Sequence, residues 1–308
     1  MDLFQSDIYL SFLESVENLT PFKFSLYRDD SEVGRIQGYT QKDGNVIMSF
    51  LSRRAIINGG PFLADDITAD EVRSLLEKCV TGLKRDVIYI ESRNFRDYSS
   101  YRSVFEDAGF RYEPHYDFVI STEDQDVVES KIGKSRKRDV KVSLKNGVSV
   151  VEEPSIGEIS DFYSILEELY RTRVKTPLFP KSFFMKLWEM PFSKFILVKY
   201  KDRIVGGTLC VFDNDTVYEW FACGEDGAYK NVFPSTVATY YGIQFAVQNG
   251  FQRFDMMGAG SPGDGGYGVR EFKAKFGGEL VEYGRFRYIT NKPLFAIGQI
   301  GVKLMKKL

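Results

Sequence analysis

Two lysines, Lys273 and Lys275, follow a run that holds six glycines in the eleven residues 258–268. Glycine-dense backbone can take φ > 0 and lets another molecule come close to its N–H groups. Lysines just after such a run suit a visitor that carries negative charge or develops it. Acyl transfer to an amine has that need: a positioned amine, a donor carbonyl and a stabiliser for the tetrahedral oxyanion. Backbone N–H groups and an ammonium both serve as stabilisers. At i and i+2 the two lysines point to different sides of a helix, so one enters the site and the other is solvated. The base that takes the amine proton is open among Asp255, Asp264 and Glu219, with solvent-assisted transfer as an equal alternative.

Other chemistries lack parts. Gly258, Gly260 and Gly263 spell a literal GxGxxG, but a dinucleotide site needs it after a first strand and before a long helix. Here Pro262 and Asp264 interrupt it and one short helix follows. There is no GxxxxGK[ST]. The only histidine, His115, sits beside a strand-like segment among aromatics and is expected to be structural. Cys79, Cys210 and Cys223 are widely spaced, which argues against a metal site or a disulfide framework.

Three further features could bind a substrate. Pro234-Ser235-Thr236 opens a helical stretch whose free N–H groups make a phosphate seat. Tyr218 and Trp220 alternate onto one face of the preceding strand, with Phe221 on the other. Residues 131–147 carry Lys131, Lys134, Arg136, Lys137, Arg138, Lys141 and Lys145 against Asp139 alone. Such a run is either a solvated helix face or a phosphate-tracking patch. With 41 basic and 43 acidic residues overall, a patch of one sign stands out from a nearly neutral field. The stretch 293–308 is amphipathic and basic as a helix, which suits packing on its own domain or peripheral contact with an anionic membrane.

The elements that must hold these residues read as a duplicated α+β plan. A composition 43% hydrophobic and 15% aromatic supports real cores. Segments 22–28, 33–40 and 45–51 alternate as strands around a turn at Asp43-Gly44, a helix spans 68–83, and 86–91 is a buried strand. A helix over 98–108 and a strand over 116–121 follow. The second half repeats this with strands at 195–200, 204–212 and 216–222, a helix at 234–248, a strand at 253–257, a helix at 269–275 and a strand at 279–289. The N-terminus has no basic leader and no segment reaches the roughly 18–20 apolar residues of a spanning helix, so a cytoplasmic protein is expected.

An ordered set of motifs runs through the chain: Lys134-Ser135-Arg136-Lys137-Arg138, Lys145-Asn146-Gly147-Val148, Phe162-Tyr163, Arg173-Val174-Lys175-Thr176-Pro177, Pro180-Lys181-Ser182-Phe183-Phe184, Val205-Gly206-Gly207, Tyr218-Glu219-Trp220, Pro234-Ser235, Phe254-Asp255-Met256-Met257-Gly258 and Phe272-Lys273-Ala274-Lys275-Phe276-Gly277-Gly278. The set resembles the FemAB-like branch of the GNAT superfamily, the non-ribosomal peptidyltransferases of peptidoglycan cross-bridges and their relatives. The resemblance implies an α/β (α+β) fold of two tandem GNAT-like domains with mixed central sheets. It implies an aminoacyl-tRNA donor and an amine acceptor on a cell-wall precursor. It also implies that Lys273, in the Phe-Lys pair of the late helix, aids the transition state, and that Tyr218 or Trp220 lies near the substrate. Relatives in polysaccharide and lipid pathways keep acyl-CoA open as donor, and no long coiled-coil insertion for tRNA is visible.

The expectation is therefore an N-terminal domain at 1–130, a basic linker helix at 131–147 and a C-terminal domain at 148–308. Lys273, Tyr218 and Trp220 would be catalytic. Phe272, Lys275, Gly258, Gly260, Pro234, Ser235, Arg136, Arg138 and Arg173 would bind substrate, with no metal and no tightly bound cofactor. The competing readings are an acyl-CoA-dependent N-acetyltransferase and a non-catalytic module that binds a glycan or nucleotide precursor.

Overall fold

A computed structural model describes residues 2–42, 52–263 and 268–307. The strand expected over 45–51, its Asp43-Gly44 turn and Asp264 lie outside the described residues. Among the described residues the fold is α/β with two mixed seven-stranded sheets. The first holds β1 (Leu19–Arg28), β2 (Ser31–Gln41), β3 (Arg54–Gly59), β4 (Phe62–Leu63), β5 (Tyr89–Asn94), β6 (Arg111–Glu113) and β14 (Arg285–Ile289), in the order β1-β2-β3-β5-β14-β6 with β4 on β2. The second holds β7 (Tyr116–Ser121), β8 (Ser149–Val151), β9 (Ser193–Tyr200), β10 (Arg203–Phe212), β11 (Thr216–Gly224), β12 (Arg253–Gly258) and β13 (Glu279–Glu282), in the order β13-β7-β12-β11-β10-β9-β8.

The two sheets share one plan. An antiparallel trio (β1-β2-β3, β9-β10-β11) is followed by a helix and then a strand parallel to the third of the trio, β5 or β12. In the first unit that helix is α2 (Ala69–Leu83), after α1 (Asp7–Ser15). Thr68 and Glu71 close a capping box at its start, and Val72, Leu75, Leu76 and Cys79 bury against Ile36, Ala55 and Ile90 of the sheet. This is the 3.6-residue stripe expected of a helix lying on a sheet. The remaining α-helices among the described residues are α3 (Arg102–Asp107), α4 (Gln125–Lys131), α5 (Lys134–Lys145), α6 (Ile156–Leu169), α7 (Lys181–Trp188), α8 (Pro234–Gln248), α9 (Gly268–Ala274) and α10 (Lys292–Lys307).

The domain bounds differ from those expected. One compact unit comprises residues 1–115 with 282–308, and the other comprises 116–281. Two strands account for this. β7 pairs with β12 of the second sheet, and β14 pairs with β5 and β6 of the first. The single strand expected over 279–289 is broken at Gly284, whose φ of +66° turns the chain, so β13 and β14 join different sheets. The basic segment is no linker either. α4 and α5 belong to the second unit, where Val140 of α5 joins Val205 and Val237 in a buried cluster.

Candidate active site

β11 and β12 are paired in parallel only at Thr216↔Arg253, Val217↔Phe254 and Tyr218↔Asp255. Each strand then carries an irregularity. In β11 the register against β10 passes from Cys210↔Glu219 to Leu209↔Phe221, which leaves Trp220 as the extra residue of a bulge. In β12 the register against β7 slips between Asp255 and Gly258. Met257 stands there at φ +55°, and its N–H donates to Asp255 Oδ1 at 2.6 Å, a short loop of the kind aspartate forms with backbone two residues on. Bulges bend a strand and re-aim its groups.

The carbonyls re-aimed by this bulge converge on Lys273. Its Nζ donates to the carbonyls of Met256, Met257 (3.1 Å) and Gly258 (3.0 Å), which uses all three donors of an ammonium. The next carbonyls are also taken. Arg270 Nε binds Ala259 O at 2.9 Å, the Tyr116 N–H binds Gly260 O at 2.8 Å, and Arg270 Nη2 binds Ser261 O at 2.6 Å. The carbonyls of Met256 through Ser261 thus all face α9 or β7. The described part of the glycine run is fastened by two cations of α9, not left as a loose wall.

Three buried carboxyl groups surround this ammonium electrostatically: Asp117 on β7, Glu219 on β11 and Asp255 on β12, which are 4%, 5% and 2% exposed. Burial lowers the proton affinity of Lys273, and Glu219, Asp117 and Asp255 work against that loss. Burial raises Asp255 to about 6, opposed by the Met257 N–H and by Lys273. Burial also raises Glu219, opposed first by Lys273 and then by the Thr239 hydroxyl, which donates to Glu219 Oε1 at 2.7 Å. Carboxyl groups shifted upward beside a cation are the arrangement acid–base chemistry requires. Sequence reading named Glu219 and Asp255 but missed Asp117. An aspartate in an otherwise apolar strand is out of place there, and that was the available signal.

The other residues separate. Lys275 is exposed in the turn just after α9, the helix that half-buries Lys273 and ends at Ala274. Phe272 packs on Phe276 with ring centroids 5.3 Å apart and carries the Arg136 guanidinium 4.2 Å from its ring centre. Arg136 also donates to Thr236 Oγ1 at 3.2 Å and to Phe272 O at 3.3 Å. It ties α5 to α8 and α9, and is no surface phosphate contact. Arg138 is solvent-exposed and bonds Asp139 at 2.8 Å.

Tyr218 is buried and reaches Asp213 at 3.4 Å. Trp220 does not alternate with Phe221 as expected. The bulge turns it into the same aromatic cluster, with ring centroids 5.5 Å from Phe183 and 5.7 Å from Phe221. Pro234 and Ser235 begin α8, packed so closely on β10 and β11 that a Cβ on Gly224 would stand 2.6 Å from Ser235 N. The Ser235 N–H already points to Asp226 Oδ1 at 3.4 Å. Arg173 lies apart, exposed in a π-helical turn, Tyr170–Val174. With Arg203, Asp161 and Glu225 it lines a cavity of about 550 Å³. All three cysteines are buried.

Comparison with known proteins bears on the segment that carries this site. Residues 190–303, which include β11, β12 and Lys273, match the model of the FemAB family. No curated protein sequence matches the chain. Among solved structures it is similar to FemX at 15% identity and TM-score 0.71, covering 96% of this chain and 94% of that one. It is similar to L-PGS from Bacillus licheniformis at 15% identity and TM-score 0.60, covering 96% and 92%. A tandem GNAT protein from the clavulanic acid biosynthesis pathway aligns at 9% identity and TM-score 0.59, covering 90% and 85%. Sheet plan and matched segment agree: residues 190–303 match the FemAB family, and the fold is similar to that of tandem GNAT proteins.

Proposed function

We propose that this protein transfers an aminoacyl group from a tRNA ester to an amine acceptor in cell-envelope precursor synthesis. The observation that carries the reading is the Lys273 ammonium, held where β11 and β12 diverge, beside the buried Asp255 and Glu219. The acceptor nitrogen attacks the ester carbonyl, its N–C bond forms, and the carbonyl oxygen becomes an oxyanion that Lys273 stabilises. A carboxylate, Asp255 or Glu219, takes the proton released by the amine and returns it to the departing ribose oxygen as the C–O bond breaks. To touch the oxyanion, Lys273 exchanges one of its three carbonyl partners.

Two features favour tRNA over acyl-CoA as donor. Lys134, Arg138, Lys141 and Lys145 are all exposed and recur at i, i+4, i+7 and i+11 on α5, which puts four cations on one helix face. Such a stripe tracks a phosphate backbone. The start of α8, the phosphate seat an acyl-CoA would use, is met by the carboxylate of Asp226, and a pyrophosphate arriving there meets like charge. The FemAB match and the likeness to FemX support the cell-envelope setting.

A thermal-shift panel with charged tRNA, a UDP-linked muropeptide, CoA and acetyl-CoA tests the reading, followed by turnover assays with whatever stabilises. Stabilisation by charged tRNA and transfer to the muropeptide are expected. Stabilisation by CoA alone would move the chain to the N-acetyltransferase class. Binding of the precursor without turnover by either donor would make it a non-catalytic module.

A further inference from the structure

We propose that α10 is a docking surface for an anionic lipid bilayer. Among the described residues the helix is secured to the first unit through Phe295 and its start. The Phe295 ring meets Tyr89 edge-on at 5.5 Å, and the Arg287 guanidinium lies 5.7 Å from the Phe295 ring centre. Asn291 caps the start by accepting the Leu294 N–H at 3.0 Å. On the face turned away, Ile297 and Ile300 are 50% and 59% exposed. They stand three residues apart, one turn along the same face.

Charge decides what covers this face. The helix sequence, KPLFAIGQIGVKLMKK, holds four lysines and no acidic residue. A protein partner would match these cations at particular points, whereas an anionic headgroup layer matches them wherever the side chains reach. Exposed isoleucines on a helix of so basic a sequence suit a helix lying flat, with its apolar side at the acyl boundary. At 16 residues the helix is about 24 Å long. Among the described residues no helix is long and apolar enough to cross a membrane, so the contact is peripheral. The inference rests on α10 alone and is independent of the transfer reaction.

Co-sedimentation of the full-length protein with phosphatidylcholine vesicles, with and without phosphatidylglycerol, tests it. Binding is expected only to vesicles that contain phosphatidylglycerol, and it should weaken as salt is raised. The Ile297→Glu/Ile300→Glu variant should keep its melting temperature and lose about a hundredfold in partition, because each buried isoleucine is worth roughly a tenfold gain. Wild-type binding that the double variant retains in full, or no binding to phosphatidylglycerol vesicles, would overturn the proposal. So would a wild-type dimer that the double variant splits into monomers, since the face would then cover a second copy of the chain.

Discussion

The Asp255 carboxylate accepts the Met257 N–H at 2.6 Å while Met257 holds φ +55°. A methionine in the left-handed region is strained by roughly 1–2 kcal/mol, and this bond offsets part of that strain. The consequence reaches another element. The bulge so fixed turns the carbonyls of Met256, Met257 and Gly258 onto the Lys273 ammonium of α9. One carboxyl group therefore sets the geometry of the site and also contributes its charge.

The two roles of Asp255 separate by substitution. Asp255→Asn keeps an oxygen that accepts the Met257 N–H, so its melting temperature should stay within a few degrees of wild type, while turnover falls by roughly 10²–10⁴-fold if Asp255 is the base. Asp255→Ala leaves the half-buried Met257 N–H unpartnered and should cost about 1–3 kcal/mol in denaturant unfolding. An Asn variant with full turnover would hand the base role to Glu219.

A pH series follows from the same residue. Burial raises Asp255 from 3.8 to about 6, so the folded chain binds this proton more tightly than the unfolded chain does. Its contribution to stability is complete below about pH 4 and is lost as pH rises to about 6, by up to about 3 kcal/mol. The difference between wild type and Asp255→Asn should show that loss. Transfer needs the ionised form, so kcat/KM should rise with pH through about 6. A flat rate profile over that range removes Asp255 from proton transfer.

The cations of α5 divide into two classes. Replacing Lys134, Arg138, Lys141 and Lys145 by Ala should leave the melting temperature unchanged and weaken tRNA binding. Its salt dependence should flatten by roughly 0.7–0.9 log units per log salt for each phosphate that the variant no longer neutralises. Arg136→Ala should instead destabilise the fold, by about 1–3 kcal/mol, because it leaves partners on α8 and α9 unbound. Equal effects of the two on stability would contradict this division.

Gly224 answers for the seat of α8. A Cβ there would stand 2.6 Å from Ser235 N and 2.6 Å from Ser235 Oγ. Gly224→Ala should therefore cost about 1–3 kcal/mol through overpacking, read by chemical denaturation. A neutral result would mean the helix start is free to move off the sheet.

Local signals in the sequence located most elements. The capping box at Thr68, the proline at the start of 234–248 and the apolar run of 204–212 each act within one element. What they do not encode is which sheet a strand joins. β7 and β14 look like ordinary neighbours of β6 and β13, and only long-range pairing assigns them elsewhere. The site shows the same division. Lys273, Glu219 and Asp255 stood out as charges beside apolar strands, whereas the cage of carbonyls depends on a bulge at Met257 that no turn residue announces. The misplacement of Trp220 has the same origin, since a bulge inserts one residue and reverses every side chain beyond it.

Transfer of the aminoacyl group from charged tRNA to a UDP-linked muropeptide, measured in single turnover with wild type and Lys273→Ala, tests the central claim most directly. The account expects product from wild type, and a rate lowered by about 10²–10³-fold in the variant with tRNA binding retained. Transfer by Lys273→Ala at the wild-type rate would contradict it, because the ammonium would then serve only to hold the β12 bulge.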